Sequence, residues 1–63
     1  MTVYVIESKR TGLYVKEIQD GSLLMSSDQT QAMRYFYPNV AKLEIYKNEI
    51  DEKHYRVRKI EVK

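Results

Sequence analysis

The chain has no cysteine, no tryptophan, one proline, two glycines and one histidine among its 63 residues. Without cysteine there are no disulfides, no thiolate nucleophile and no zinc site built on thiolates, which suits a reducing compartment. Gly12 and Gly21 stand far apart, so there is no glycine-rich loop to cradle a phosphate. His54 lacks the neighbouring ligands that a metal site needs. We therefore expect no metal and no cofactor.

Long apolar runs and paired acids are also missing. No apolar run approaches the roughly 20 residues that cross a bilayer, and the start, MTVYVIESKR, lacks the basic lead and apolar stretch of a signal peptide. General acid–base catalysis needs positioned groups in a cleft, whereas the acids here are scattered singly. We expect one small domain over residues 1–63, with no catalytic residues, no membrane contact and a cytoplasmic location.

The charge is unevenly distributed along the chain. The net charge is only +2, but residues 1–52 carry six basic and eight acidic side chains, whereas residues 53–63 carry five basic and one acidic. This basic C-terminal segment is the one electrostatic feature that points to a partner.

Residues 2–26 have the alternation and the turn residues of three strands. The stretch TVYVIES is apolar on both faces, which suits a central strand. A turn with Gly12 leads to LYVKEIQ, and Asp20-Gly21, the strongest hairpin signal in the chain, leads to SLLMS. The pattern predicts a three-stranded antiparallel meander.

Helical spacing follows the meander. Ser26 or Ser27 is the predicted cap of a first helix, whose apolar stripe comprises Ala32, Met33, Phe36 and Tyr37. Pro38 cannot continue that helix but suits the first turn of a second, NVAKLEIYKNEI. The predicted apolar face of this second helix comprises Val40, Ala41, Leu43, Tyr46 and Ile50.

The last segment, HYRVRKIEV, returns to strand character, with a bulge expected near Arg58-Lys59. This strand pairs with the first strand or lies on the opposite edge. The predicted fold class is α+β: a three-stranded antiparallel meander, two short helices packed on one face and a C-terminal strand, in the order β-β-β-α-α-β.

The aromatic cluster Tyr35-Phe36-Tyr37 between the predicted helices has two interpretations. As a corner of the fold, it places Phe36 in the core and leaves one or both tyrosines with a wet hydroxyl. As an interface, Tyr35 and Tyr37 anchor a partner protein together with Arg34, since tyrosine and arginine dominate interface hot spots.

The basic C-terminal strand also has two interpretations. Arg56 and Arg58 lie two residues apart and share one face of a strand, where they meet carboxylates of a protein or phosphates of a nucleic acid. The residues predicted to contact nucleic acid are Lys53, Tyr55, Arg56, Arg58, Lys59 and Lys63. The alternative is that these charges only protect a sheet edge from aggregation.

The order of residues resembles small accessory proteins from phages of Gram-positive bacteria, particularly staphylococcal ones, many of them in families of unknown function. The resemblance lies in Tyr4-Val5-Ile6, Gly12-Leu13-Tyr14, Ser27-Asp28, Ala32 with Phe36, Ala41 and the final strand. It implies a phage product that binds and disables or redirects a host or host-defence protein. DNA mimicry is disfavoured, because it needs a strongly acidic surface.

The sequence therefore predicts a non-enzymatic protein that binds and modulates or inhibits a host or defence-system protein. The predicted contact residues are Arg34, Tyr35, Tyr37, Arg56 and Arg58. The alternative is a nucleic-acid-binding accessory or regulatory protein that uses the basic strand. A homodimer is a third expectation, because so small a core benefits from association.

Overall fold

A computed structural model describes all residues 1–63 as four strands and one α-helix. The strands are β1 (Thr2–Ser8), β2 (Tyr14–Gln19), β3 (Ser22–Ser26) and β4 (Tyr55–Glu61), and the helix is α1 (Pro38–Lys47). The strands form one antiparallel sheet in the order β3-β2-β1-β4. The α+β class and the antiparallel sheet are confirmed, whereas the prediction of two helices is only partly matched.

The final strand pairs with β1 along its whole length, from Thr2 opposite Glu61 to Ser8 opposite Tyr55. Of the two predicted positions of the final strand, next to the first strand or on the opposite edge, the structure has the first. The expected bulge near Arg58-Lys59 is wrong, because the β1–β4 register is continuous there. The irregularity lies instead in β2, where the register with β3 shifts between Val15 and Glu17.

The predicted first helix is wrong. Only Gln29–Gln31 form a single 3-10 turn, and its cap is Asp28, whose side chain accepts a hydrogen bond from the Thr30 amide at 2.9 Å. Downstream, the Met33 amide donates to Val15 at 3.0 Å, and Tyr35 exchanges two backbone hydrogen bonds with Tyr4 at 2.7 and 2.8 Å. These amides donate hydrogen bonds to strands of the sheet, so they cannot donate to the carbonyls of a helix.

The segment Met33–Tyr35 fills a gap between β1 and β2. The two strands pair only at Glu7 opposite Tyr14, and Tyr35 bridges to Tyr4 further along β1. The backbone N–H and C=O of Tyr4, which β2 leaves unpaired, are thereby satisfied.

The tight turns and the helix ends follow their local chemistry. Asp20 and Gly21 both have positive φ, 48° and 79°, as a type I′ hairpin turn requires. Pro38 opens α1 at its first position, as predicted. At the other end Glu49 takes a left-handed φ of 56°, while the Ile50 amide donates to the Ile45 carbonyl at 2.9 Å. This bond pattern satisfies the last carbonyls of the helix.

The core lies between α1 and one face of the sheet. Its buried members are Ile6, Val15, Tyr35, Ala41, Ile45 and Ile50. Val3 and Val5 are also buried, but alternation along β1 points them to the other face. There they line a groove with Gln29, Thr30 and Arg34, so the 3-10 segment lies over that face. β1 is buried on both faces, as predicted for a central strand.

Candidate partner-binding surfaces

The outward face of α1 carries large apolar side chains. Val40, Leu43 and Tyr46 recur every three residues, a spacing that makes them neighbours along the helix. Leu43 is 63% exposed and Tyr46 77%. The side chains of Ala41 and Ile45 are buried against the sheet. The helix is therefore apolar on two sides, and only one side is covered.

Tyr37 extends this surface at the start of the helix. It is the N-cap residue of α1, it has extended backbone angles and its ring is exposed. We call Tyr37, Val40, Leu43 and Tyr46 the α1 ridge. The other exposed large apolar side chains are Met1, Leu24 and Phe36. A contiguous row of four such side chains on one helix is typical of an interaction site.

The prediction that Val40, Leu43 and Tyr46 lie on the covered face of the helix is wrong. The helix has ten residues, and the sheet covers only the narrow stripe of Ala41 and Ile45. Ile45, which the predicted face omitted, takes the central buried position. Ala41 and Ile50 are buried as predicted.

The aromatic cluster is arranged in reverse of the expectation. Phe36, the predicted core residue, is 64% exposed, whereas Tyr35 is 8% exposed and packs in the core. The backbone bridge from Tyr35 to Tyr4 fixes this arrangement, because it turns the Tyr35 ring towards α1. Burial raises the pKa of the Tyr35 hydroxyl, and the nearby Glu44 charge raises it further. Tyr35 is therefore placed as a core residue and not as an exposed anchor.

Arg56 and Arg58 form a second surface, on the sheet face opposite α1. Both point to Glu7, which is buried in β1. The Arg56 Nε donates to Glu7 Oε1 at 2.8 Å, and the Arg58 Nη1 donates to Glu7 Oε2 at 2.7 Å. The two guanidinium side chains remain 57% and 52% exposed. One buried carboxylate thus orients two arginines whose remaining donors face solvent.

The pKa of Glu7 reflects this arrangement. Burial alone would raise it, but the hydrogen bonds and charges of Arg58 and Arg56 outweigh burial, so the pKa lies below its ordinary value. The hydrogen bond and charge of Glu7 raise the pKa of Arg58. All three groups are charged at neutral pH, and the cluster carries one net positive charge.

The remaining predicted contact residues do not join one surface. Arg34 is exposed and lines a groove with Lys63 beside Val3 and Val5. Tyr55 is half-buried and packs against the core. Lys59 is exposed opposite Tyr4, on the other side of β4 from Arg58. Lys53 lies in the turn before the strand.

Glu7 is the residue that sequence reasoning missed. It ends a strand that reads as apolar, and it was counted among the scattered acids. The signal was the register: with β1 and β4 antiparallel, Glu7 falls opposite Arg56 and diagonal to Arg58. Opposite charges at such positions indicate a cross-strand ion pair.

Comparisons with protein-family models, with curated proteins and with solved structures found no match to this chain. The resemblance to phage accessory proteins therefore stays a prediction. Among the helices, none has the length and apolarity to span a membrane.

Proposed function

We propose that this chain is a non-enzymatic interaction protein that binds another protein through the α1 ridge. The observation that carries the proposal is the exposure of Leu43 and Tyr46 on the side of α1 that faces away from the core. Covering a large apolar side chain contributes about 1.5–3 kcal/mol. A partner that covers the ridge gains this energy without displacing any part of the chain.

The composition of the ridge supports a protein partner. Tyrosine supplies a large contact area with a hydroxyl that tolerates water, and it is enriched at interface hot spots. Two tyrosines, Tyr37 and Tyr46, stand at the two ends of the ridge with Leu43 between them. This arrangement places an apolar anchor, Leu43, between two amphipathic tyrosine side chains. The resemblance to phage accessory proteins suggests a host or host-defence protein as the partner, bound so as to modulate or inhibit it.

The test is site-specific crosslinking combined with truncation of the ridge. A photoreactive phenylalanine analogue at Tyr46 is expected to crosslink one protein from a host lysate, and the same analogue at Gln19 is not. The double variant Leu43→Ser/Tyr46→Ser is expected to weaken binding of that protein on the order of 100-fold. Lys16→Ser, at an exposed position in β2 and not on α1, is the control and keeps full binding.

Two results would contradict the proposal. One is equal binding by the double variant while circular dichroism remains native. The other is crosslinking that is as strong from Gln19 as from Tyr46. If light scattering gives a dimer that the double variant converts to a monomer, the partner is a second copy of the chain.

The second candidate function is nucleic-acid binding through β4. The observation that favours it is the exposed pair Arg56 and Arg58 with Lys59 on the same strand. Binding of this kind weakens with salt, with a log–log slope near −0.9 for each phosphate contact. Glu7 offsets one of the two arginine charges, which favours a protein partner. Capture that disappears after nuclease treatment would shift the assignment to nucleic acid.

A further inference from the structure

The outer edge of β4 has a row of backbone groups with no partner in the sheet. In an antiparallel pair, alternate residues point their N–H and C=O groups towards the neighbouring strand. His54 and Val62 point towards β1, since the Lys9 amide donates to His54 and the Val62 amide donates to Met1, both at 2.7 Å. The alternation then directs the backbone groups of four residues outwards: Tyr55, Val57, Lys59 and Glu61.

Arg56 and Arg58 border this edge on the face opposite α1. Glu7 holds both side chains in place through the hydrogen bonds described above. An added strand would set its own side chains beside them on the same face, at the spacing of cross-strand pairs. Carboxylates are the groups that arginine pairs with most strongly. That face of the edge therefore selects acidic side chains.

The other face of the edge is apolar at Tyr55 and Val57 and charged at Lys59 and Glu61. An open groove of about 380 Å³ runs between α1 and β4. Its apolar lining consists of Ile45, Tyr55 and Val57, and its charged lining of Lys42, Glu52 and Arg56. An added strand points every second side chain to this face. The groove therefore selects apolar side chains at those positions.

We propose that β4 accepts an extended segment of a partner protein as a fifth strand, and that this segment alternates acidic and apolar side chains. The charge of the strand supports such an occupant, because residues 53–63 carry five basic side chains and one acidic. The backbone edge supplies the hydrogen bonds and the two faces supply the selectivity, as in other cases of strand addition. This site is separate from the α1 ridge.

Two registers of a second copy of β4 on the same edge are disfavoured. An antiparallel pair centred on Arg58 sets Arg58 opposite itself, and a pair centred on Val57 sets Arg56 opposite Arg58. Like charges directly opposite each other are destabilising. The basic residues thus disfavour these two registers of self-pairing and still admit an acidic strand, so the same side chains serve edge protection and recognition.

The test uses a fluorescent peptide in which Glu alternates with Val and Ile, with fluorescence anisotropy as the readout. A peptide of the same composition with all Glu residues first is the control for charge alone. We expect the alternating peptide to bind at least about tenfold more tightly than the block peptide. Arg58→Gln is expected to weaken binding about fivefold or more, whereas Lys47→Gln, the same change on α1, has no effect.

Two further variants separate strand addition from simple charge attraction. Lys59→Pro removes an outward N–H, and proline is tolerated where that group faces solvent. Lys59→Thr removes the same charge and keeps the N–H. We expect Lys59→Pro to bind at least about fivefold more weakly than Lys59→Thr. Hydrogen exchange is expected to slow at the amides of Tyr55, Val57, Lys59 and Glu61 when the alternating peptide is bound, and not at those of β3.

Equal binding of the alternating and block peptides would overturn the proposal, as would equal binding by Lys59→Pro and Lys59→Thr when both remain folded by circular dichroism. The Leu43→Ser/Tyr46→Ser variant is expected to bind the peptide as the unmodified chain does. Failure of the α1 ridge proposal and failure of the strand proposal are therefore distinguished by different variants.

Discussion

At the scale of single residues, Glu7 connects β1 to β4 through hydrogen bonds to two arginine side chains. Its carboxylate is buried, yet both oxygens accept hydrogen bonds from arginines whose outer atoms reach water. A buried charge without such partners would be strongly destabilising. The acid and the arginines are separated by about fifty positions in sequence, so only the pairing of β1 with β4 brings them together.

Glu7→Gln is expected to lower the free energy of unfolding by about 1–2 kcal/mol near neutral pH, because the amide nitrogen cannot accept a hydrogen bond and one of the two charge-assisted bonds to the arginines is lost. The pKa of Glu7 in the folded chain lies below the ordinary 4.5. Its contribution is therefore fully present above about pH 4.5 and is lost as the pH falls through the folded pKa. Urea unfolding at several pH values measures both effects.

The matched control is Glu17→Gln, at an acid with an exposed side chain in β2. It should leave the stability and its pH dependence almost unchanged. If Glu7→Gln and the unmodified chain lose stability in parallel as the pH falls, Glu7 is not the group responsible.

At the scale of elements, the aromatic cluster shows that backbone pairing with the sheet overrides a local helical pattern. Helical spacing of Ala32, Met33 and Phe36 predicted a helix, but the backbone of Tyr35 pairs with Tyr4 instead. Pro38 also disfavours helical angles at Tyr37, which is extended. The gap that β2 leaves beside β1 depends on the tertiary structure, so no local sequence pattern predicts it.

Tyr35→Ala is expected to destabilise the fold by about 3–5 kcal/mol, as truncation of a buried aromatic does. For a chain of this size that loss is close to the whole stability, so circular dichroism should show an unfolded or nearly unfolded protein. Phe36→Ala and Tyr37→Ala remove exposed rings and should change the free energy of unfolding by less than about 0.5 kcal/mol. A stable Tyr35→Ala protein would place the core elsewhere.

Much of the element order could be predicted from sequence, and the exceptions have physical causes. The three N-terminal strands, the Asp20-Gly21 turn and Pro38 at the start of α1 depend on nearest neighbours, so the sequence patterns identify them. The face of α1 that is buried depends on how many residues the sheet can cover. The predicted apolar face included more residues than the sheet can cover, and Leu43 is one of those left exposed.

The site residues were predictable in part for the same reason. Arg56 and Arg58 share a face because alternation alone requires it, and the structure places them together. Tyr37 is exposed at the helix start. Arg34 lies apart from both surfaces, in the segment Met33–Tyr35, whose backbone bonds to the sheet and not within the predicted helix.

At the scale of the whole molecule, β1 organises the fold. It pairs with β4 along its full length on one edge, and with β2 and Tyr35 on the other. Its side chains are buried on both faces, at Val3 and Val5 on one and Ile6 on the other. β2, β4 and α1 all contact this strand, whereas β3 contacts β2.

Native-state hydrogen exchange should reveal this hierarchy. The amides of Tyr4 and Val5 are expected to exchange only through global unfolding, whereas those of Leu23 and Leu24 in β3, an edge strand, exchange through local opening. The protection factors should differ on the order of 100-fold or more. Equal protection in β1 and β3 would mean that the sheet opens as one unit. NMR at one temperature and pH provides the measurement.

Met1 and Val62 exchange two hydrogen bonds at one end of the β1–β4 ladder, at 3.0 and 2.7 Å. The terminal strands therefore run side by side with both ends at the same corner. A mechanical force that pulls these two ends apart loads one bonded pair at a time, as a zipper opens, and does not shear the whole ladder at once. Unfolding by heat or denaturant must therefore disrupt the whole core at once. Unfolding by this pulling force breaks the hydrogen bonds between β1 and β4 one pair at a time.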